Sequence, residues 1–361
     1  MHVLLDGTPL LGHRTGIGQY VTNLYRSLRD RPDVTPRLYA FTIRHGSRPT
    51  DVAPGDWSRR ILPARVLQQL WLSHDRPSAD VLLPRADVLH ATNFTAPPTR
   101  RARRVVTVHD LAFLRLPDTV HPQTRRAAEL TVRQARAADA VITPSAAVAA
   151  EIQEHLGVPA ERLHVTPLGV DASWGTAAPP DPAQRARLGL PADYLLAVGT
   201  REPRKNLEAL LAAHRAAGPG RALPLVLVGP EGWGPEISDA PGVHLLPYLP
   251  SEDLRSLVAG ATSLVFPSRY EGFGLPALEA MAAGTPVLAN DIPVLREVLG
   301  DCGRFVDAED REAFAEALVA AGASTDPPEA RAARQDRASS FTWARCAEAT
   351  VAAYRSAGTP D

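Results

Sequence analysis

Short β-branched runs alternate along this chain with longer Ala-, Leu- and Arg-rich stretches at helical spacing, and that alternation constrains the fold more than any other feature. A strand, a helix and a second strand joined in that order make a crossover, which lays the two strands parallel. Strands are expected at Val3–Leu5, Val88–His90, Arg104–Val108, Ala140–Thr143 and Leu163–Val165. A second series is expected at Tyr194–Val198, Leu225–Val228, Val243–Leu246, Ser263–Phe266 and Pro286–Ala289. The class is therefore α/β, built on parallel sheets.

Between the two series lies Asp171–Leu188, where Pro179, Pro180 and Pro182 fall among small residues and no apolar period survives. At 361 residues the chain exceeds what one core usually organises. The stretch reads as a join between a domain of residues 1–172 and a domain of residues 189–340, with 173–188 as linker. A last amphipathic helix, residues 341–358, carries Trp343, Ala347, Thr350, Val351 and Tyr354 at helical spacing.

Composition narrows the function classes. A formal net charge of -1 gives no electrostatic case for a nucleic-acid partner. The two cysteines, Cys302 and Cys346, can form no disulfide framework and lack metal-ligand spacing, which fits a reducing compartment. The first residues show no signal-peptide pattern, and no stretch reaches the roughly 18 apolar residues of a membrane span, so a cytoplasmic location is expected. Of the 39 Lys and Arg residues only Lys205 is lysine, and it lies in the loop Gly199–Asn206 directly after an apolar run. A compact ammonium suits a phosphate oxygen in a tight site where a planar guanidinium would not fit.

Four segments could carry chemistry. Asp6-Gly7 ends the opening strand, and Arg14-Thr15-Gly16-Ile17-Gly18 starts a helix. Gly16 and Gly18 would let backbone amides approach a phosphate or sugar, although a plain tight turn explains them equally well. His109 and Asp110 follow the strand ending at Val108, where parallel sheets face their ligand crevice; a local backbone cap is the bland alternative for His109. Asn93, after the strand ending at His90, is expected along the same crevice. The fourth segment runs from Phe266 to Val287. There Glu271 and Glu279 bracket the start of a helix near Leu275-Pro276, with Glu279 about two turns into it, and the amides of Gly272, Phe273, Gly274 and Leu275 are expected to point where a polyhydroxyl ligand or diphosphate could sit. Carboxylates accept paired hydrogen bonds from vicinal hydroxyls, as sugar recognition requires.

These residues together resemble family 4 glycosyltransferases. The most specific match is Glu271-Gly272-Phe273-Gly274-Leu275-Pro276-Ala277-Leu278-Glu279, which is similar to that family's E-x7-E motif. Thr15-Gly16-Ile17-Gly18, Val108-His109-Asp110, Thr143-Pro144-Ser145 and Pro167-Leu168-Gly169-Val170-Asp171 agree in order.

The resemblance implies a GT-B fold of two Rossmann-like domains whose parallel sheets face across a cleft, with the last helix returning to the first domain. It implies a retaining hexosyl transfer from a nucleotide-diphosphate sugar, GDP-mannose by likeness to bacterial mannosyltransferases, to a glycan, lipid-linked or small-molecule acceptor. Lys205 with Arg201 or Arg204 would bind the diphosphate, the latter favoured because it adjoins Lys205. Glu279 would hold the ribose, Glu271 and the loop amides the sugar, and Leu249 the base side. His109 would stand near the reacting centre, with Asn93 and Asp110 on the acceptor side.

No cofactor is expected, and no metal, since no two aspartates are spaced i, i+2 and fixed cations can stabilise the leaving diphosphate. A sugar-nucleotide epimerase and a non-catalytic nucleotide-sugar-binding partner are the competing readings. The segment Trp57–Leu72 interleaves Arg59, Arg60 and Arg65 with apolar residues, either as a peripheral membrane surface or as a helix packed on its domain.

Overall fold

A computed structural model describes residues 1–12, 16–43, 48–93, 96–218, 220–234, 237 and 240–358. The chain forms two compact units, one of Met1–Leu111, Pro122–Gly169 and Thr342–Asp361, the other of Ala112–His121 and Val170–Phe341.

The first unit is built on a seven-stranded parallel sheet in the order β3-β2-β1-β4-β5-β6-β7. Its strands are β1 His2–Asp6, β2 Thr35–Phe41, β3 Trp57–Arg60, β4 Val88–Ala91, β5 Arg103–Thr107, β6 Ala140–Thr143 and β7 Leu163–Val165. The second unit has a six-stranded parallel sheet in the order β10-β9-β8-β11-β12-β13. Those strands are β8 Leu195–Val198, β9 Leu225–Val228, β10 Val243–Leu246, β11 Ser263–Phe266, β12 Val287–Asn290 and β13 Arg304–Val306. The central strands are buried throughout because helices cover both faces, which is why they read as unbroken apolar runs such as Leu225–Val228.

Both sheets reverse strand order between their first and fourth strands, and that reversal opens a crevice at the carboxyl ends. In the second unit it falls between β8 and β11, where Leu264 pairs with Leu196 on one side and Val287 on the other.

Three strands carry no legible sequence signal. Pro36 interrupts β2 near its start, while β3 is Trp-Ser-Arg-Arg and β13 only three residues, so neighbouring strands rather than intrinsic pattern hold them. Residues 173–188 are not an irregular linker. A helix spans Pro182–Leu188, opened by the Asp181 carboxylate on the Gln184 amide at 2.7 Å and closed by Gly189 at φ 62°. Gln184 and Arg187 both bond Asp253, at 2.8 and 2.7 Å, so this helix belongs to the second unit. Capping chemistry builds it without an apolar period.

The segment Trp57–Leu72 is likewise two elements, β3 and then a helix Ala64–Ser73 that buries Leu67 and Trp71 in its own unit and leaves Val66 and Leu70 exposed. The helix Trp343–Ser356 packs on the first unit against helix Gly16–Arg29 and β6. Gly169 permits that return, since a Cβ there would stand 2.1 Å from the Trp343 amide nitrogen.

Candidate active site

The site of the second unit grows from the two loops at the β8–β11 reversal. After β8 the chain runs through Gly199 to Asn206, whose αL backbone (φ 56°) starts helix Leu207–Ala217. After β11 it runs through Pro267 to Gly274, whose φ of 94° lets helix Leu275–Ala282 begin at once; any Cβ on Gly274 would strike Leu295 at 2.7 Å. The Arg269 amide donates to the Arg204 carbonyl at 3.0 Å and ties the loops together.

Their side chains form a buried ion network. Lys205 Nζ donates to Glu271 Oε1 at 2.6 Å, and Arg204 donates to Glu271 Oε2 at 2.9 Å. Arg204 also donates to Glu202 Oε1 at 2.8 Å and to the Tyr270 carbonyl at 3.1 Å. Burial pushes the Glu271 carboxyl up, but the Arg204 and Lys205 cations outweigh it and hold it at about 2. Lys205 stands 5.1 Å over the Phe266 ring, so its stem lies on apolar surface while its ammonium faces the loops.

Arg201 makes no side-chain hydrogen bond to the described residues. It lines a shallow cavity with Gly199, Thr200, Lys205, Phe266 and Ser268. Arg204, by contrast, is held by two carboxylates and a carbonyl.

Glu279 lies one turn into its helix, not two, because the helix starts at Leu275. It is buried and forms no side-chain hydrogen bond to the described residues; burial pushes its carboxyl up to about 8 against the pull of Arg255. Phe273 is buried edge-on to Phe341, with ring centroids 5.9 Å apart, and Leu249 and Leu275 are buried as well. Gly272 precedes Phe273 in the connecting loop.

Sequence reasoning missed two contributors. Glu202 carried no motif, and its role appears only in its contact with Arg204. Gly229, Gly232 and Gly234, after β9, let that loop lie against the β8 loop; a Cβ at Gly229 would stand 2.0 Å from the Gly199 carbonyl oxygen and one at Gly232 2.3 Å from that of Arg201. The clustering of three glycines just after a strand was the available signal.

The first unit gathers its own group at the carboxyl ends of its strands. His109, partly buried, donates from Nε2 to the Thr92 carbonyl at 2.8 Å, since that oxygen can only accept. Burial lowers its pKa, opposed by the Thr92 bond and Asp110, so near neutrality Nδ1 is an acceptor. Tyr20 meets the His109 ring edge-on at 5.1 Å. One ring nitrogen is thus used in a cap of the local backbone.

Asn93 has a buried side-chain oxygen without a hydrogen-bond partner. Asp110 follows His109 and is half-buried. Gly16 and Gly18 lie in the first turn of helix Gly16–Arg29, and no atom stands within 4 Å of a Cβ built on Gly16. Arg14, Thr15 and Phe94 lie outside the described residues.

Behind this edge, His90 bonds Tyr354 at 2.7 Å and Thr107 at 2.6 Å, with burial lowering its pKa to about 3. That neutral imidazole anchors the last helix.

Two Rossmann-like sheets with a basic and acidic loop pair at a strand-order reversal define a glycosyltransferase of the GT-B type. The family model for glycosyl transferases group 1 matches residues 192–323, and that for glycosyltransferase family 4 matches residues 14–174. The O-antigen chain mannosyltransferase B of Escherichia coli is 30% identical across 98% of this chain and all of that protein. The MMP alpha-(1->4)-mannosyltransferase of Mycolicibacterium hassiacum is 34% identical over 63% of this chain and 57% of its own. In fold, the sucrose-phosphate synthase of Thermosynechococcus elongatus superposes with a TM-score of 0.74 at 20% identity, covering 98% of both chains. Anabaena HepE, solved with UDP and glucose, gives 0.67 at 18% identity over 98% of both. The chain belongs to the family 4 glycosyltransferases and is a transferase enzyme.

Proposed function

We propose that this enzyme moves a hexosyl unit, mannose from GDP-mannose, to a hydroxyl of a glycan or lipid-linked acceptor, with retention and without a metal. The observation that carries the reading is the Lys205–Glu271 pair at 2.6 Å, set where the second sheet reverses its strand order.

Lys205 and Arg201 are the cations for the diphosphate. Negative charge grows on the leaving diphosphate as the anomeric C–O bond breaks, so these cations stabilise the transition state more than the ground state. Glu271, ionised at all working pH, accepts from sugar hydroxyls while Arg204 and Glu202 keep it in place. Glu279 takes the ribose hydroxyls. The acceptor oxygen attacks the anomeric carbon on the face the diphosphate leaves, and its proton passes to the departing phosphate oxygen, so no protein nucleophile is needed. His109 Nδ1 accepts a hydrogen bond from a substrate hydroxyl beside that centre.

Mannosyltransferase relatives at 30% and 34% identity support mannose, and the acceptor reading follows the name of the Escherichia coli relative. Exposed Ile61, Val66 and Leu70 beside Arg59 and Arg60 support peripheral contact with a membrane bearing a lipid-linked acceptor. The test is a panel of GDP-, UDP-, ADP- and TDP-sugars read by thermal shift, then transfer with the best donor and anomeric assignment of the product by NMR. An inverted product would end the same-face reading, turnover of donor sugar without acceptor would favour an epimerase, and tightest binding of a UDP-sugar would end the assignment of GDP-mannose.

A further inference from the structure

The first unit holds a second cavity that the transfer reaction does not use. It has a volume of about 340 Å³ and is lined by His74, Asp75, Arg76, Pro98, Thr99, Arg100 and Arg104. Arg104 is the second residue of β5 and Asp139 stands just before β6, so the cavity lies at the amino edge of the sheet. His109 and Asn93 follow the carboxyl ends of β5 and β4, at the opposite edge.

Arg104 forms its inner wall. One guanidinium nitrogen donates to the Ala137 carbonyl at 2.5 Å, but Nε is buried without an acceptor among the described residues. A buried N–H left unmade is costly, and native structures seldom keep one unless a ligand or water completes it. Burial works against the charge of Arg104 as well, with only Asp139 and Asp75 offsetting it.

The surrounding carboxylates are already engaged. Asp75 pairs with Arg133 at 3.2 Å, and Asp139 accepts the Arg104 amide at 2.7 Å. Asp80 accepts the Arg100 amide at 2.6 Å, the Ala102 amide at 3.2 Å and the Ser78 hydroxyl at 2.5 Å. Against these stand the three guanidinium groups that line the cavity, those of Arg76, Arg100 and Arg104. Several guanidinium forks around one hollow match the oxygens of a phosphate, and the volume is that of a small-ligand site.

We propose that this cavity binds a phosphate group through Arg104 Nε, Arg76 and Arg100, at a site separate from the transfer chemistry. The phosphate can come from a soluble phosphate or from a lipid headgroup, and the same chemistry serves both.

The test compares the full-length protein with an Arg76→Ala/Arg100→Ala variant, which leaves the Arg104–Ala137 bond in place. Inorganic phosphate is titrated in one arm, read by calorimetry. Vesicles of phosphatidic acid in phosphatidylcholine are the other arm, read by co-sedimentation against phosphatidylcholine alone. The variant retains the diphosphate-binding residues, so any difference between the two proteins isolates the cavity. At least a 10-fold weaker phosphate affinity in the variant supports a soluble ligand. Loss of vesicle binding alone supports a headgroup. An Arg104→Lys variant, charged but without Nε, should reproduce the loss, and tungstate soaked into crystals should lie within hydrogen-bond reach of Arg104. Equal affinity of wild type and double variant in both arms, with no tungstate at Arg104, overturns the proposal.

Discussion

Replacing Glu279 by glutamine should stabilise the folded enzyme progressively as the pH rises. The carboxyl is buried and forms no hydrogen bond to the described residues, and burial raises its pKa from 4.5 to about 8. Below pH 4.5 folded and unfolded chains both carry the proton, so the group contributes nothing to the pH dependence. Above that the unfolded chain releases it while the folded chain keeps it, and stability falls by about 1.4 kcal/mol per pH unit until the folded carboxyl ionises near 8.

The loss is about 3 kcal/mol at pH 7 and on the order of 5 kcal/mol above pH 8, a large share of a domain's stability. Glutamine has no proton to lose, so wild type and Glu279→Gln should diverge with pH. Denaturant midpoints of the two proteins, taken from pH 4.5 to 8.5, give that divergence directly. Other titrating groups, Asp6 among them with its pKa raised by burial to about 6, cancel in the difference. Parallel pH profiles would refute the reasoning, because they would mean the carboxyl ionises alike in both states. The same variant should bind nucleotide more weakly above pH 8, where the wild-type carboxyl is ionised and both its oxygens accept, whereas an amide offers only one accepting oxygen.

Other outcomes follow from the same geometry. Lys205→Ala should lower the turnover number at least about 100-fold, measured as initial rate at saturating donor, with far-UV circular dichroism unchanged. Glu202→Gln should weaken one of the bonds that hold Arg204 and lower kcat/KM about 10-fold, with Glu202→Asp recovering part of it; equal rates in wild type and Glu202→Gln would remove Glu202 from the site. Gly229→Ala drives a methyl to within 2.0 Å of the Gly199 carbonyl oxygen and should cost at least about 2 kcal/mol in denaturant unfolding, along with weaker donor binding. His90 is neutral in the folded state down to about 3, so below pH 6.5 it opposes folding by about 1.4 kcal/mol per unit; His90→Gln should flatten the acid side of the stability profile.

Much of the candidate site is legible in the sequence. Glu271 and Glu279 advertise themselves because glycines and a helix-starting proline stand between them, and Lys205 because the chain uses arginine elsewhere. What stayed hidden depended on contact. Arg201 and Arg204 look interchangeable in the loop, and only the approach of Glu271, 67 positions away, engages one and leaves the other free. Residues 173–188 lack an apolar period, so their helix shows in the sequence only through its caps, Asp181 and Gly189, while its place in the second unit depends on Asp253, 69 positions from Gln184.

The sequence by itself determined the class of fold and the location of the reactive loops, because hydrophobic period and glycine placement act over a few residues and need no distant neighbour. The tertiary structure decided the states of those loops' charged groups. Whether a carboxyl is held near 2, like Glu271, or pushed to about 8, like Glu279, depends on burial and on which cations the strand order brings within hydrogen-bond reach. Those are properties of the packed sheet, and no local pattern encodes them.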